Sequence, residues 1–158
     1  MVNIRPARPE ELDAAIALWV EANGEIGVSA TGHHENLQIW ANRDDAALLV
    51  TEESGSLVGM LLCLQGRTDD GLGDVILALT HLTGLAVLPN LQRVGIGQEL
   101  VEAAIKEARR TGRNRVTLWT REENDVARRL FDRCGFLPTG RRGADERGAI
   151  TLHFERAI

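Results

Sequence analysis

The sequence contains no tyrosine. Acid–base chemistry in this chain must therefore run without a phenol. Aromatic rings are few altogether, 4% of 158 residues. Cysteine is scarce as well: Cys63 and Cys134 stand alone in apolar patterns, with no Cys-x-x-Cys pair to frame a zinc site or a redox motif. Both are expected as buried thiols in a reducing compartment. No apolar run reaches the length of a membrane span. Met1 to Pro6 lacks the basic and apolar regions of a signal peptide, so a cytoplasmic location is expected. A basic block is missing too, and the net charge of −5 argues against general nucleic-acid binding. Internal repeats, low-complexity tracts and linkers are absent. An apolar content of 44% and a charged content of 26% suit one globular domain over residues 1–158.

What is present centres on Leu77 to Gly112. The apolar run Leu77 to Leu88 has the length and branching of a buried strand, and Pro89-Asn90 closes it. Downstream, Leu100, Val101, Ala104, Ile105 and Ala108 recur at helical spacing. Between them lies Gln92-Arg93-Val94-Gly95-Ile96-Gly97, a glycine-bearing loop that joins a strand end to a helix start. Unpaired N–H groups and the helix dipole make such a junction attractive to anions. Gly95 and Gly97 let a phosphate approach without a Cβ in the way, and Arg93 adds a forked cation. The pattern predicts an anion cradle, best suited to a diphosphate. Gly97-Gln98-Glu99 lacks the lysine and hydroxyl of a P-loop, and Leu100 fills the position where a dinucleotide fingerprint needs a small residue.

Taken in order, Val2 to Arg5 reads as a short strand, and Leu12, Ala15, Ile16, Trp19 and Val20 form one face of a helix ended by Asn23-Gly24. Residues 25–43 are irregular; His33-His34 is read as a solvated turn rather than a metal site, and Leu37, Ile39 and Trp40 suit a second helix. Ala46 to Thr51 and Ser56 to Leu64 read as a hairpin through Glu53-Ser54-Gly55. Gln65 to Asp74 reads as a mobile acidic loop. Arg115 to Thr120 is a strand, and Asn124 caps a helix that Gly135 stops. A hairpin from Phe136 to Glu155 ends the chain, with Ile150, Leu152 and Phe154 on one side and His153 facing solvent on the other.

Three segments together resemble the GNAT superfamily of acyl-CoA N-acyltransferases. Gln92 to Gly97 matches Gln/Arg-x-x-Gly-x-Gly/Ala, its pyrophosphate loop. Leu85-Ala86-Val87-Leu88-Pro89 looks like its strand ending Leu-x-Val-x-Pro, and Asn124 to Phe136 resembles Asn-x-x-Ala-x-x-Leu-Tyr-x-x-x-Gly-Phe. The resemblance implies an α+β fold, a mixed and mostly antiparallel sheet of six or seven strands flanked by about four helices. It implies acetyl-CoA as donor, a primary amine on a small molecule or peptide as acceptor, and, as is common among relatives, a homodimer. Leu85, Ala86 and Val87 would pair their backbone with the pantetheine amides. Gln92, Arg93, Val94, Gly95, Ile96, Gly97 and Gln98 would hold the pyrophosphate, and Asn124 and Phe131 would lie along the cofactor arm.

An alkylamine is neutral in only about one molecule in a few thousand at pH 7, so its attack on a thioester benefits from a positioned base. Many members carry a glutamate four residues before the position of Leu85. Here that residue is His81, an imidazole expected to titrate near neutrality. The family's tyrosine, which often protonates the leaving thiolate, corresponds to Phe131, which cannot donate a proton. That departure leaves the general acid open, and with it the alternative of an acyl-CoA-binding regulatory module with little turnover.

Overall fold

Among the described residues, seven segments pair as strands: β1 (Ile4–Pro6), β2 (Ala47–Glu53), β3 (Ser56–Arg67), β4 (Val75–Val87), β5 (Arg115–Arg121), β6 (Leu137–Ala144) and β7 (Ile150–Ala157). The computed structural model describes residues 3–24, 30–92, 94–145 and 147–158, with the backbone alone for 24 and 30–35. The strand order is β1-β2-β3-β4-β5-β7-β6. β4 and β5 run parallel, whereas β1 with β2, β2 with β3, β5 with β7 and β6 with β7 run antiparallel. This is the mixed, mostly antiparallel sheet that the family resemblance implies. The helices are α1 (Leu12–Gly24), α2 (Ala30–Ala41), the one-turn α3 (Thr68–Gly71), α4 (Ile96–Arg110) and α5 (Asp125–Arg133).

The chain divides into two compact units, one of residues 1–64 and 84–104, the other of 65–83 and 105–158. In the first unit, Ala15, Leu18, Trp19 and Ala22 of α1, Leu37 of α2, Val50 of β2, Met60 and Leu62 of β3, and Ala86 of β4 bury one another. Arg5 grips Glu11 with two hydrogen bonds, at 2.7 and 2.9 Å, and so ties β1 to the start of α1. Two glycines set the packing here. A Cβ on Gly59 would stand 3.1 Å from both Leu100 Cδ1 and Thr51 Cγ2, so the bare backbone of β3 is what lets the first turns of α4 settle. Gly84 interrupts β4 with φ +66, in the left-handed region, and a Cβ there would lie 3.0 Å from Leu37 Cδ2.

In the second unit, β4 pairs with β5 from Leu79–Arg115 to Leu82–Leu118. Phe131 of α5 packs edge-on against Phe136 and tilted against Phe154, with ring centroids 5.9 and 6.4 Å apart. The acidic segment is more ordered than the sequence suggests. β3 continues through Gln65, which is buried and donates Nε2 to the carbonyls of Ile76 at 2.8 Å and Leu79 at 3.2 Å. A polar side chain that satisfies backbone carbonyls is invisible to hydrophobic patterning, which is why this segment reads as a mobile loop. α3 is a left-handed turn, with Asp69 and Asp70 both at φ 51. Cys63 and Cys134 are buried thiols, as expected. Among the described residues no helix is long and apolar enough to cross a membrane.

Candidate functional site

The glycine loop lies in the first unit. β4 ends at Val87, a 3-10 turn over Pro89–Leu91 reverses the chain, and α4 begins at Ile96. Leu88 N donates to Val58 O at 3.0 Å and Leu91 N to Leu88 O at 2.9 Å, which fix the entry to the loop. Gln92 donates its Nε2 to the Val87 carbonyl at 3.1 Å, so its side chain ties the loop back to the strand end. Val94 and Gly95 are exposed. Gly95 has φ +91, and a Cβ on it would meet nothing within 4 Å. The backbone conformation thus asks for glycine, while the space beside it is open. The first bond of α4 runs from Glu99 N to Gly95 O at 3.0 Å, which leaves the N–H groups of Ile96, Gly97 and Gln98 without an intrahelical acceptor. Over the 15 residues of α4 these donors coincide with the positive end of the dipole. Ile96 is 5% exposed and anchors the turn. Leu85 is half-buried, and Ala86 and Val87 are buried at the end of the same strand. Arg93 lies outside the described residues.

The second unit holds His81, Asn124 and Phe131. His81 Nδ1 lies 2.9 Å from Thr117 Oγ1, across the β4–β5 pair in which the two residues are register partners. Burial pushes its pKa down to about 4; the His153 imidazole adds to the shift, Asp70 opposes it and Arg141 reinforces it. The expectation of an imidazole titrating near neutrality is thus corrected. Although part of its surface stays accessible, the ring is packed closely enough to lose most of its hydration. His81 is uncharged through the physiological range, and it is a hydrogen-bonding group more than a strong base. Asn124 caps α5 and accepts from Ala127 N at 3.1 Å. Phe131 is 6% exposed, set among the phenylalanines of this unit.

The structure adds residues that the sequence does not flag. His153, expected to face solvent, is 7% exposed. The cause is a bulge in β6. Pairing passes from Pro138–Phe154 to Arg142–Leu152, so Thr139, Gly140 and Arg141 together oppose the single His153. Gly140, at φ +86, supplies the turn. Thr139 Oγ1 then lies 2.9 Å from His153 Nδ1, and Trp119 stands edge-on to the His153 ring at 4.8 Å. Burial lowers the His153 pKa as well, and Arg141 adds to the shift. The bulge also turns Arg141 over the Trp119 ring, 5.2 Å from its centroid, where its Nη2 pairs with Asp70 Oδ1 at 2.8 Å. Plain strand alternation sets His153 on the face opposite Phe154, and the expectation of solvent there fails because Thr139 and Trp119 cover that face. The glycine at 140 is the sequence signal of the bulge. The histidines at 33 and 34 fall within the backbone of α2, a helix where a turn is expected, and their side chains lie outside the described residues.

Comparison with known proteins agrees with the family resemblance of the glycine loop. Residues 12–136 match the model of the Acetyltransferase (GNAT) family. The chain belongs to the GNAT acetyltransferase family. The peptidyl-lysine N-acetyltransferase YjaB of Salmonella typhimurium is 30% identical over 94% of this chain and 92% of its own length. YjaB of Escherichia coli is 25% identical over 94% of this chain and 90% of its own. The fold is likewise that of yncA from Salmonella typhimurium, solved with its cofactor acetyl-CoA, at TM-score 0.74, 20% identity and coverage of 99% and 94% of the two chains.

Proposed function

We propose that this GNAT protein is an acetyl-CoA-dependent N-acetyltransferase whose acceptor is the side-chain amine of a lysine in a peptide or protein. The observation that carries the donor assignment is the loop at Gly95, with its φ of +91, its open flank and the first-turn amides of α4 that follow it. A diphosphate at that point would meet the first-turn N–H donors and the dipole of a four-turn helix, beside the open flank of Gly95. Leu85, Ala86 and Val87 would offer backbone groups to the amides of the pantetheine arm, in the manner of an added strand. The acceptor class is suggested by YjaB, a peptidyl-lysine N-acetyltransferase matched over nearly its whole length. In this reading residues 1–158 act as a single catalytic domain in the cytoplasm, and a homodimer is the assembly to look for by light scattering.

The transfer joins the neutral amine nitrogen to the thioester carbon, passes through a tetrahedral oxyanion and expels the coenzyme as a thiolate. A backbone N–H near Leu85 to Val87 is assigned to the oxyanion. His81, neutral and bonded to Thr117, is assigned to hydrogen-bond the incoming amine directly or through water. A ring titrating near 4 is a poor proton store, so the ammonium proton passes on to solvent rather than resting there. Phe131 offers no proton, and the departing thiolate takes one from water, as a thiol with an ordinary pKa of about 8.5 does readily near neutrality.

Titration calorimetry with acetyl-CoA tests the loop. Gly95→Val combined with Gly97→Val is expected to weaken binding at least about tenfold, because two side chains then occupy the phosphate's approach. Unchanged affinity in a folded variant would remove the loop from donor binding.

A further inference from the structure

The second unit holds a cation in the place of a ligand, and acetyl transfer alone gives it no role. Arg141 projects from the β6 bulge, lies 5.2 Å from the Trp119 ring centroid and pairs with Asp70 at 2.8 Å. An aromatic face beside a carboxylate is the arrangement that recognises organic cations. It is also built to last. Trp119 is braced by the His153 ring at 4.8 Å, and its outer edge rests on Gly143, where an added Cβ would come within 3.4 Å. Asp70 is presented by a turn in which Asp69 and Asp70 both adopt φ 51, a left-handed conformation that aspartate tolerates better than most L-residues. The occupant is held less firmly. Arg141 and Asp70 have 54% and 58% of their side chains exposed, so water screens their pairing and a competitor can displace it.

The seat opens on the same strand face as the group assigned to the amine. Trp119 follows Thr117 by two residues on β5, and the Thr117 hydroxyl is the partner of His81. Asp70 and Arg141 are both close enough to His81 to shift its titration. The reacting nitrogen itself must be uncharged when it attacks, and a site that stabilises positive charge would hold it protonated. The seat therefore suits a second cation carried by the acceptor, next to the amine that reacts.

Resting on the lysine-acceptor reading, we propose that Trp119 and Asp70 form a specificity seat for a positive charge adjoining the acceptor lysine, and that Arg141 fills this seat until the acceptor arrives. Basic segments, with arginine or lysine flanking the acetylated residue, are the acceptor class it selects.

The test uses matched peptides, Gly-Arg-Lys-Arg-Gly and its twin with citrulline at both arginine positions, which keeps the shape and removes the charge. The parent protein should favour the arginine peptide about tenfold in kcat/KM, and Asp70→Asn and Trp119→Leu should each cut that preference to about threefold or less. Arg141→Gln should lower KM for the arginine peptide about threefold by vacating the seat. Asp70→Glu should restore part of the preference lost in Asp70→Asn. Calorimetry with the same peptides and coenzyme A present reads the seat without turnover. A charge preference in Kd that the variants abolish, without acetyl transfer to either peptide, would uphold the seat and defeat the lysine-acceptor reading. Equal Kd for the two peptides in the parent, or a preference that survives both Asp70→Asn and Trp119→Leu, would overturn the seat.

Discussion

Replacing His81 by asparagine should flatten the pH dependence of stability over a defined window. The folded ring titrates near 4 and a free histidine near 6.5. Between those values the unfolded chain holds a proton that the folded chain does not. Its folded pKa lies below its unfolded one, so the contribution is intact above pH 6.5 and is lost as pH falls toward 4. A whole proton is worth about 1.4 kcal/mol per pH unit, which sets a ceiling of about 3 kcal/mol over the window. The residue as a whole is only partly buried, and a loss of about 1–2 kcal/mol is the expected size after screening. Glu11 acts lower down. Its carboxylate is pulled from 4.5 to about 2 by the hydrogen bonds from Arg5 and from the Arg8 amide, so its contribution fades only as pH falls below 4.5. Urea unfolding in half-unit steps from pH 7.5 to 4 measures the difference. Asparagine can still bond Thr117 but does not titrate. The parent should therefore lose about 1–2 kcal/mol more than His81→Asn across the window. Parallel curves, or an NMR titration of the His81 ring near 6.5, would refute the burial argument.

Three further outcomes follow from the packing. Gly84→Val should destabilise the fold by about 2–3 kcal/mol in chemical unfolding, because it combines left-handed strain with a contact to Leu37. Gly59→Val should weaken acetyl-CoA binding measured by calorimetry, since the new side chain presses on Leu100 and Ile96 in the first turns of α4 and tilts the donors of the loop. Asn124→Ala should cost about 1 kcal/mol in unfolding experiments through loss of the Ala127 cap.

Where one residue faces one environment, the sequence is a sufficient guide. The period of Leu100, Val101, Ala104, Ile105 and Ala108 locates the buried stripe of α4, and glycine at 95 marks a backbone that takes φ +91. The strand pattern also places β4 and β5 correctly to within a few residues. It fails where polar groups are buried for their hydrogen bonds and where register slips. Gln65 is core because Ile76 and Leu79 offer it carbonyls, which no hydropathy scale weighs. His153 is covered because three residues of β6 pass over it, and the group Asp70, Arg141 and Trp119 is assembled by the same bulge from segments that lie far apart in sequence. The environment of His81 is the largest omission. Its position is legible, but its pKa depends on packing that a lone sequence does not carry.

Acetyl transfer itself is tested most directly by mass spectrometry with isotope-labelled acetyl-CoA and a lysine peptide, beside an enzyme-free control and the Gly95→Val, Gly97→Val variant. The label should appear on the lysine side-chain nitrogen only with the parent protein, together with one free thiol for each acetyl moved. Donor that binds tightly while no labelled amide forms on lysine peptides would contradict lysine acetylation as the function.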